Sequence, residues 1–515
     1  MRSINADQSE LEYITVEKAI KDIAEFWPFV LRRGACSVFE AAMAYIISQK
    51  DVDLLGAYAA YQSLTNLTLG LLYASIFPLV TLISSAKREE EAALNEDEKN
   101  AAREKVKMIW RQGVIFSAML SVPAVAFGLT VSPIFEAFKQ PKVVLENSQR
   151  FLAYSAGGFA ADLFYRLSAR TVTGLGVKKS ILFGDMIDHC FELVLAYAFL
   201  NGKLGAPELG IAGVGLAYTI SKMITLLGHM TYIFLSPGCF GFDYTPYHLF
   251  QLSGPFFDKS IFKKLISAGI PDGMSRALSK TGSLLVVMFC GGFGTAPLAG
   301  IQVATIYSNF ASFYMSAVYN AACNKIGRYV SIFGDTENRY DAETKHIAAS
   351  NVKTYAQLLM KFCFFMSMIA CGVAFLLSRQ LAALLIDKKD EAHQSHLSTV
   401  ATFLKIQGVF ELISGVNTPV ASVLTAMLDN RFMLFATVIF ELAINPGAAA
   451  AMHFGFRKSA DWIFAASNTG SALMILFVLA RCYSQLNAFI RKSEAVAADD
   501  ADIEENDDER RSFIP

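Results

Sequence analysis

Hydrophobic residues fall in long blocks separated by short polar stretches, and the blocks carry the fold. Twelve of them are long enough to cross a bilayer as helices, which takes about 20 mostly apolar residues. They lie at 27–48, 54–84, 110–135, 150–174, 180–200, 211–235, 262–290, 297–326, 354–386, 399–428, 431–453 and 462–490. Several exceed the minimum length, which allows for tilt or an extension into water. The pattern predicts an all-α integral membrane protein with twelve transmembrane helices. Residues 1–26 are expected to form a cytoplasmic N-terminal segment, in which 10–26 suit either a surface-lying amphipathic helix or a solvated leader. Residues 236–261 form a central loop, and 491–515 an acidic tail of the composition that stays disordered. The alanine-, glutamate- and lysine-rich stretch 90–104 reads as a helical extension of the third span.

The two halves align with each other. Phe151-Leu152 and Thr173 recur as Phe403-Leu404 and Thr425 at an offset of 252, as do Leu182-Phe183 and Leu434-Phe435. Pro28 matches Pro271 at an offset of 243. An N-lobe of helices 1–6 (27–235) and a C-lobe of helices 7–12 (262–490) therefore read as two parallel six-helix repeats around a central cavity. Repeats of this kind alternate access to a site held between them near the midplane.

Composition agrees with this organisation and excludes others. Of 515 residues, 54% are hydrophobic and 18% charged, below the ~25% charged of ordinary soluble domains. A disordered, fibrous or disulfide-stapled chain is excluded. With a net charge of −1 nothing suggests nucleic-acid binding. The eight cysteines are scattered without CxxC or Cys/His spacing, so no metal, disulfide framework or cofactor is expected. No cleavable signal peptide is read at the N-terminus, where Asp7, Glu10, Glu12 and Glu17 stand in place of a basic region. Seventeen lysines and arginines lie on the loops that share a side with the N-terminus, and eight on the opposite loops. That bias places both termini in the cytoplasm of a cell inner (plasma) membrane. The partners expected are the lipid bilayer and a small organic substrate, with the chain acting as a monomer.

Charge inside the spans is where chemistry should reside. Eight acids (Glu40, Asp162, Asp185, Asp188, Glu192, Asp272, Glu411 and Glu441) and seven bases (Arg32, Arg33, Arg166, Arg170, Lys222, Arg276 and Lys280) fall within them. Each costs at least about 2.5 kcal/mol at a helix centre unless paired or hydrated. Asp162, Arg166 and Arg170 recur at fourfold spacing, as do Asp272, Arg276 and Lys280, which puts each set on one helix face. Such a set is either an intrahelical ion ladder or a basic wall facing an anionic cargo. Arg32 and Arg33 lie near the cytoplasmic end and are expected to snorkel to the interface. Asp185, Asp188, His189 and Glu192 crowd the fifth span. There they either form a proton-carrying cluster, or Asp185 and His189 reach the headgroups while Glu192 pairs with a base. Glu411 stands alone on the tenth. Candidate cation-coupling residues are Glu40, Asp162, Asp188, Glu192 and Glu411. Candidate substrate-cavity residues are Arg166, Arg170, Asp272, Arg276, Lys280, Asn66, Asn309 and Asn320.

Several motifs resemble a known family. Gly202-Lys203-Leu204-Gly205-Ala206-Pro207-Glu208-Leu209-Gly210-Ile211-Ala212-Gly213 is similar to the loop between the fifth and sixth helices of multidrug and toxic compound extrusion (MATE) transporters. Pro78-Leu79-Val80 with Ala86-Lys87-Arg88, Thr173-Gly174-Leu175-Gly176, Gly269-Ile270-Pro271 and Ile301-Gln302-Val303-Ala304 resemble further stretches of that family in the same order. The resemblance spans about 25–490 and points to the bacterial branch. It implies a V-shaped twelve-helix exporter of organic compounds driven by inward proton or sodium flow, the ion being the only cofactor. The family's usual acids are displaced: its positions on the first, seventh and tenth helices hold Met43, Ser279 and Ser414, with Glu40 and Glu411 each three residues earlier. The function expected is a secondary active, cation-coupled antiporter and not an enzyme. Alternatives are an exporter or flippase of an anionic lipid or organic acid, and a non-transporting membrane scaffold.

Overall fold

A computed structural model describes residues 27–512 apart from 131, 178, 235–242, 252–254, 334–341, 386–392 and 428, together with a few positions between 13 and 21. The reading of 10–26 as a surface helix falls largely outside the described residues. Among these the chain is helical, with no strand. The N-lobe comprises α1 (Trp27–Lys50), α2 (Val52–Ser75), α3 (Glu96–Leu129), α4 (Lys142–Gly174), α5 (Lys179–Asn201) and α6 (Ile211–Phe234). The C-lobe comprises α7 (Lys259–Gly291), α8 (Thr295–Ala311), α9 (Ala342–Leu385), α10 (His393–Ala426), α11 (starting at Asn430–Ala436) and α12 (Thr469–Ser512).

Local chemistry sets the boundaries. Asn95 caps α3 by accepting from the Glu98 amide at 2.8 Å, and the Glu98 carboxylate accepts from the Leu94 amide at 2.9 Å. Asp258 caps α7 through the Ser260 and Ile261 amides. Several expected spans are broken. α2 ends before Pro78 and resumes as Pro78–Ala92, α8 pauses after Ala311, and α11 widens into a π-helix over Thr437–Ile444. α12 is preceded by the short helix Ala460–Ala466, with Ser467 and Asn468 in the break. α12 continues to Ser512, through most of the acidic stretch 491–515. No glycine or proline interrupts the sequence from Ser471 to Ile514, and alanine and glutamate favour helix strongly enough to carry it on.

Seven of the helical segments are long and apolar enough to cross a membrane by those two criteria alone. Among the fully described long helices, α1, α4 and α5 fall short, and each carries at least three charged residues in its span. α8 falls short because it is interrupted.

α4 packs along α6, and α6 along α5. In the other lobe α9 and α10 pack together, with α8 against α10. α2 joins the lobes by packing on both α7 and α8. Its contact with α7 needs glycine. A Cβ on Gly269 would stand 2.0 Å from the Ser75 carbonyl oxygen, and one on Gly273 2.2 Å from the Ser75 Oγ. Small residues permit this approach where lipid supplies no hydrophobic drive. Polar bonds line the neighbouring contact of α2 with α8: Thr295 Oγ1 donates to Asp53 at 2.5 Å, and Gln302 to Gln62 at 2.6 Å.

The central loop is strapped to the N-lobe. Arg111 donates to the Pro255 carbonyl at 2.6 Å, and Gln112 to that of Phe256 at 3.1 Å. Tyr247, buried and with its hydroxyl pushed up to about 12 by that burial, donates to Glu90 at 2.7 Å. On the opposite side Lys50 bonds Glu208 and holds its carboxyl below the usual range, tying the α5–α6 loop to the end of α1.

The α2–α7 approach gives a prediction. Gly269→Ala is expected to destabilise the purified protein by about 1–3 kcal/mol, the usual cost of overpacking. Gly372→Ala, where a Cβ meets nothing within 4 Å, should be neutral or stabilising. Thermal unfolding of both variants is the check, and equal midpoints would mean the seam has room.

Candidate functional site

A cavity of about 260 Å³ opens inside the N-lobe. α1, α2, α4, α5 and α6 surround it, and the four-residue helical period aims their charged side chains at one another. Arg166 of α4 lies between two acids, its Nε 3.3 Å from Asp162 and its Nη1 3.4 Å from Asp185. Its guanidinium also sits over the Tyr73 ring at 4.9 Å. Asp185 of α5 further accepts from Arg32 at 2.6 Å and from the Tyr165 hydroxyl at 2.8 Å. Three residues on, Asp188 faces a different neighbour. Lys222 of α6 bonds it directly and Thr225 donates to it at 3.2 Å. Asp162, Asp188 and Lys222 are all buried. His189, stacked on Phe39, brings its Nδ1 within 3.5 Å of Glu192.

Of the residues singled out from the sequence, Glu40, Asp162, Arg166, Glu192 and Asn66 line this cavity, with Asp188 immediately behind its wall. Arg170 does not; its guanidinium lies over Phe77 at 4.7 Å. The first fourfold ladder is therefore only partly intrahelical, because Arg166 divides itself between α4 and α5. Arg32 and Arg33 correct the expectation of snorkelling: both turn inward, Arg32 to the buried Asp185 and Arg33 to the half-buried Asn309, since acceptors on other helices lie within reach. Asp185 likewise turns to this cluster instead of the headgroups.

Asn309, on α8 of the other lobe, is clasped by α1. Its Oδ1 accepts from Arg33, and its Nδ2 donates to the Glu40 carboxylate at 2.5 Å. An acid and a base seven residues apart on one helix face thus hold a single carboxamide across the interface.

A second cavity of about 350 Å³ lies on the C-lobe side and shares Asn66 with the first. Lys280 and Glu441 reach it. Glu411 sits behind it, buried, and accepts from Gln407 at 2.8 Å. Side chains of Asp272, Arg276 and Asn320 lie outside the described residues. Sequence reasoning missed the amides here, namely Gln407, Asn445 and Asn468. The available signal was Asn445-Pro446 and Asn468-Thr469-Gly470 inside the last two apolar blocks, where interrupted helices mark sites in transporters. Asn445 braces the break before α12, accepting from the Gly470 and Ser471 amides at 2.8 and 3.2 Å.

The helices thus enclose a cavity lined by paired charges among α1, α2, α4, α5 and α6, and a second, amide-lined cavity on the side of α7, α8, α10 and α11. The chain has the MATE fold. It aligns with a solved inward-facing MATE transporter of the MOP superfamily at a TM-score of 0.71 and 14% identity, covering 88% of this chain and 95% of that one. A MOP superfamily transporter from Pyrococcus furiosus, described as having a binding pocket of reversed polarity, aligns at 0.66 and 14% identity over 93% and 97%. In sequence, the multidrug resistance protein NorM of Burkholderia vietnamiensis is 23% identical over 437 residues, 84% of this chain and 88% of that protein. No family model matches.

The Lys222–Asp188 pair yields the second prediction. Lys222→Met leaves a buried carboxylate without its cation and should cost about 3–5 kcal/mol of stability. Adding Asp188→Asn should recover most of that loss. A double-mutant cycle on thermal unfolding reads the coupling, and additive effects would show that the pair is not an energetic unit.

Proposed function

We propose that this chain is a secondary active exporter of organic compounds, driven by inward flow of protons or sodium ions through alternating access. It works in the plasma membrane as a monomer, with both termini cytoplasmic. The observation that carries the reading is the clasp between Glu40, Asn309 and Arg33. A carboxylate facing the cavity on one lobe accepts a hydrogen bond from the other lobe, so its charge bears on how the lobes meet. Bonds to a charged acceptor are worth about 1 kcal/mol more than neutral ones. A proton or sodium ion on Glu40 weakens the clasp, so the ion binds more tightly where the lobes have parted. That differential affinity is what a gradient needs in order to do work. The fold and the NorM relative support multidrug efflux as the activity.

The competing reading, export of an anionic lipid or organic acid, draws on Arg32, Arg33, Arg166 and Lys222 in the cavity wall. Four acids in the same wall, Glu40, Asp162, Asp185 and Glu192, offset them. A balanced wall gives an anion no advantage.

Dye efflux from proteoliposomes under imposed proton and sodium gradients tests the proposal. Wild-type protein should respond to at least one gradient. Glu40→Gln should lower the gradient-dependent rate roughly tenfold, the equivalent of about 1.4 kcal/mol, and Asn309→Ala should weaken the response. Flux indifferent to both gradients would refute coupled export, whereas an unaltered Glu40→Gln rate would move coupling to Glu192 or Glu411. Epitopes at either end should be reached by antibody only after cells are permeabilised.

A further inference from the structure

We infer that the wall of the N-lobe cavity carries a site for a divalent transition metal of the zinc type, formed by Cys36 of α1 with His189 and Glu192 of α5. The site is separate from the coupling proposed at Glu40 and does not depend on that reading.

The three side chains line the same cavity. α1 packs along α5, and the Cys36 thiol lies within hydrogen-bonding reach of the His189 side chain. The pattern is invisible along the chain, since Cys36 and His189 are 153 residues apart. His189 and Glu192 stand side by side on one helix face, at the spacing with which helical bundles present a histidine and a carboxylate to a metal. Their separation fits that role. The His189 Nδ1 is 3.5 Å from the Glu192 carboxylate, longer than a good hydrogen bond. Two donors on one tetrahedral ion, each bonded at about 2.1 Å, stand about 3.4 Å apart. Phe39 stacks on the face of the imidazole at 5.6 Å and 25°. A ring held by its face keeps its nitrogens directed along its edge.

Charge points the same way. Arg32, Arg166 and Lys222 are engaged with Asp185, Asp162 and Asp188. Glu192, among the described residues, has no lysine or arginine at ion-pair distance and faces only His189. With Cys36 as thiolate, two negative charges balance a divalent ion, and the thiol proton leaves to water on binding. Asp188 brings an oxygen within 4.8 Å of the donor atoms of His189 and Glu192. Lys222 and Thr225 already hold it, so it serves as an outer partner. On the same wall Asp162 Oδ1 is buried without a hydrogen bond, with only the Arg166 Nε nearby at 3.3 Å. Water carried on an ion in the cavity is a donor of the kind that oxygen lacks. Imidazole, thiolate and carboxylate together form a donor set that suits zinc or cobalt, whereas magnesium and calcium take oxygen alone. Three protein ligands leave a fourth position facing the cavity.

The test uses the full chain, stripped with chelator and placed in lipid nanodiscs. Co²⁺ should bind stoichiometrically and show thiolate-to-metal charge-transfer absorption. Zn²⁺ should displace it, and an excess of Na⁺, Mg²⁺ or Ca²⁺ should not. Cys36→Ser should abolish that absorption and weaken Zn²⁺ binding at least about tenfold, the cost of losing even an outer partner. Glu192→Gln should weaken Zn²⁺ binding as much while keeping the absorption. Both substitutions are nearly isosteric and leave the packing of α1 on α5 in place. Absent Co²⁺ binding, an absorption that survives Cys36→Ser, unchanged Zn²⁺ affinity in Glu192→Gln, or displacement by Na⁺ would each overturn the inference. Binding is measured without a gradient, so failure of this site and failure of coupled export are separate results.

Discussion

The cost of charge in a low-dielectric layer governs the N-lobe. Asp162, Asp185, Asp188, Arg166 and Lys222 would be untenable on lipid-facing surfaces, and the fold answers by turning them toward one another. α4, α5 and α6 are consequently bound by more than apolar packing, and their relative rotation is fixed by which base meets which acid. Arg32 extends the same cluster to α1. The cavity exists where these helices converge without closing, and its charged wall follows from the pairing that makes the lobe stable.

The lobes meet by a different chemistry. Between α2 and α7 the contact is steric and close, because Gly269 and Gly273 bring backbone against backbone. Between α2 and α8, and between α1 and α8, it consists of polar bonds: Asp53 with Thr295, Gln62 with Gln302, and Glu40 and Arg33 with Asn309. Polar bonds of this kind exchange for water with little net free energy, which suits surfaces that must part and rejoin. Ion pairs therefore hold α1, α4, α5 and α6 together, while single hydrogen bonds to amides and hydroxyls join the halves.

Much of this was legible in the sequence. Twelve apolar blocks and their duplication carried the helical membrane fold, because hydrophobic length is a local property. The fourfold spacing of Asp162 and Arg166 showed one face of one helix. It did not show that Asp185 would share Arg166, since that depends on how α5 is rotated against α4. The inward turn of Arg32 and Arg33 was hidden for the same reason: proximity to a span end suggests snorkelling unless an acceptor on another helix is known. Asn309 reads as an isolated amide in sequence and acquires meaning only beside Glu40 and Arg33, more than 260 residues away. The breaks in α8, α11 and α12 were blurred because apolar composition runs through them, although Pro446 and Gly470 marked two of the places.

The duplicated architecture conceals a division of chemistry. The N-lobe encloses opposed charges among aromatic rings, while the C-lobe cavity is walled mainly by amides, hydroxyls and aliphatic groups, with Asn66 on α2 belonging to both. A molecule resting near Asn66 would touch both walls at once. For the coupled export proposed above, that division has a use: recognition of the ion must be strict, whereas recognition of cargo must be permissive. Placing the buried ion pairs among α1, α4, α5 and α6 lets the amide and hydroxyl surface of the other cavity vary without unbalancing them.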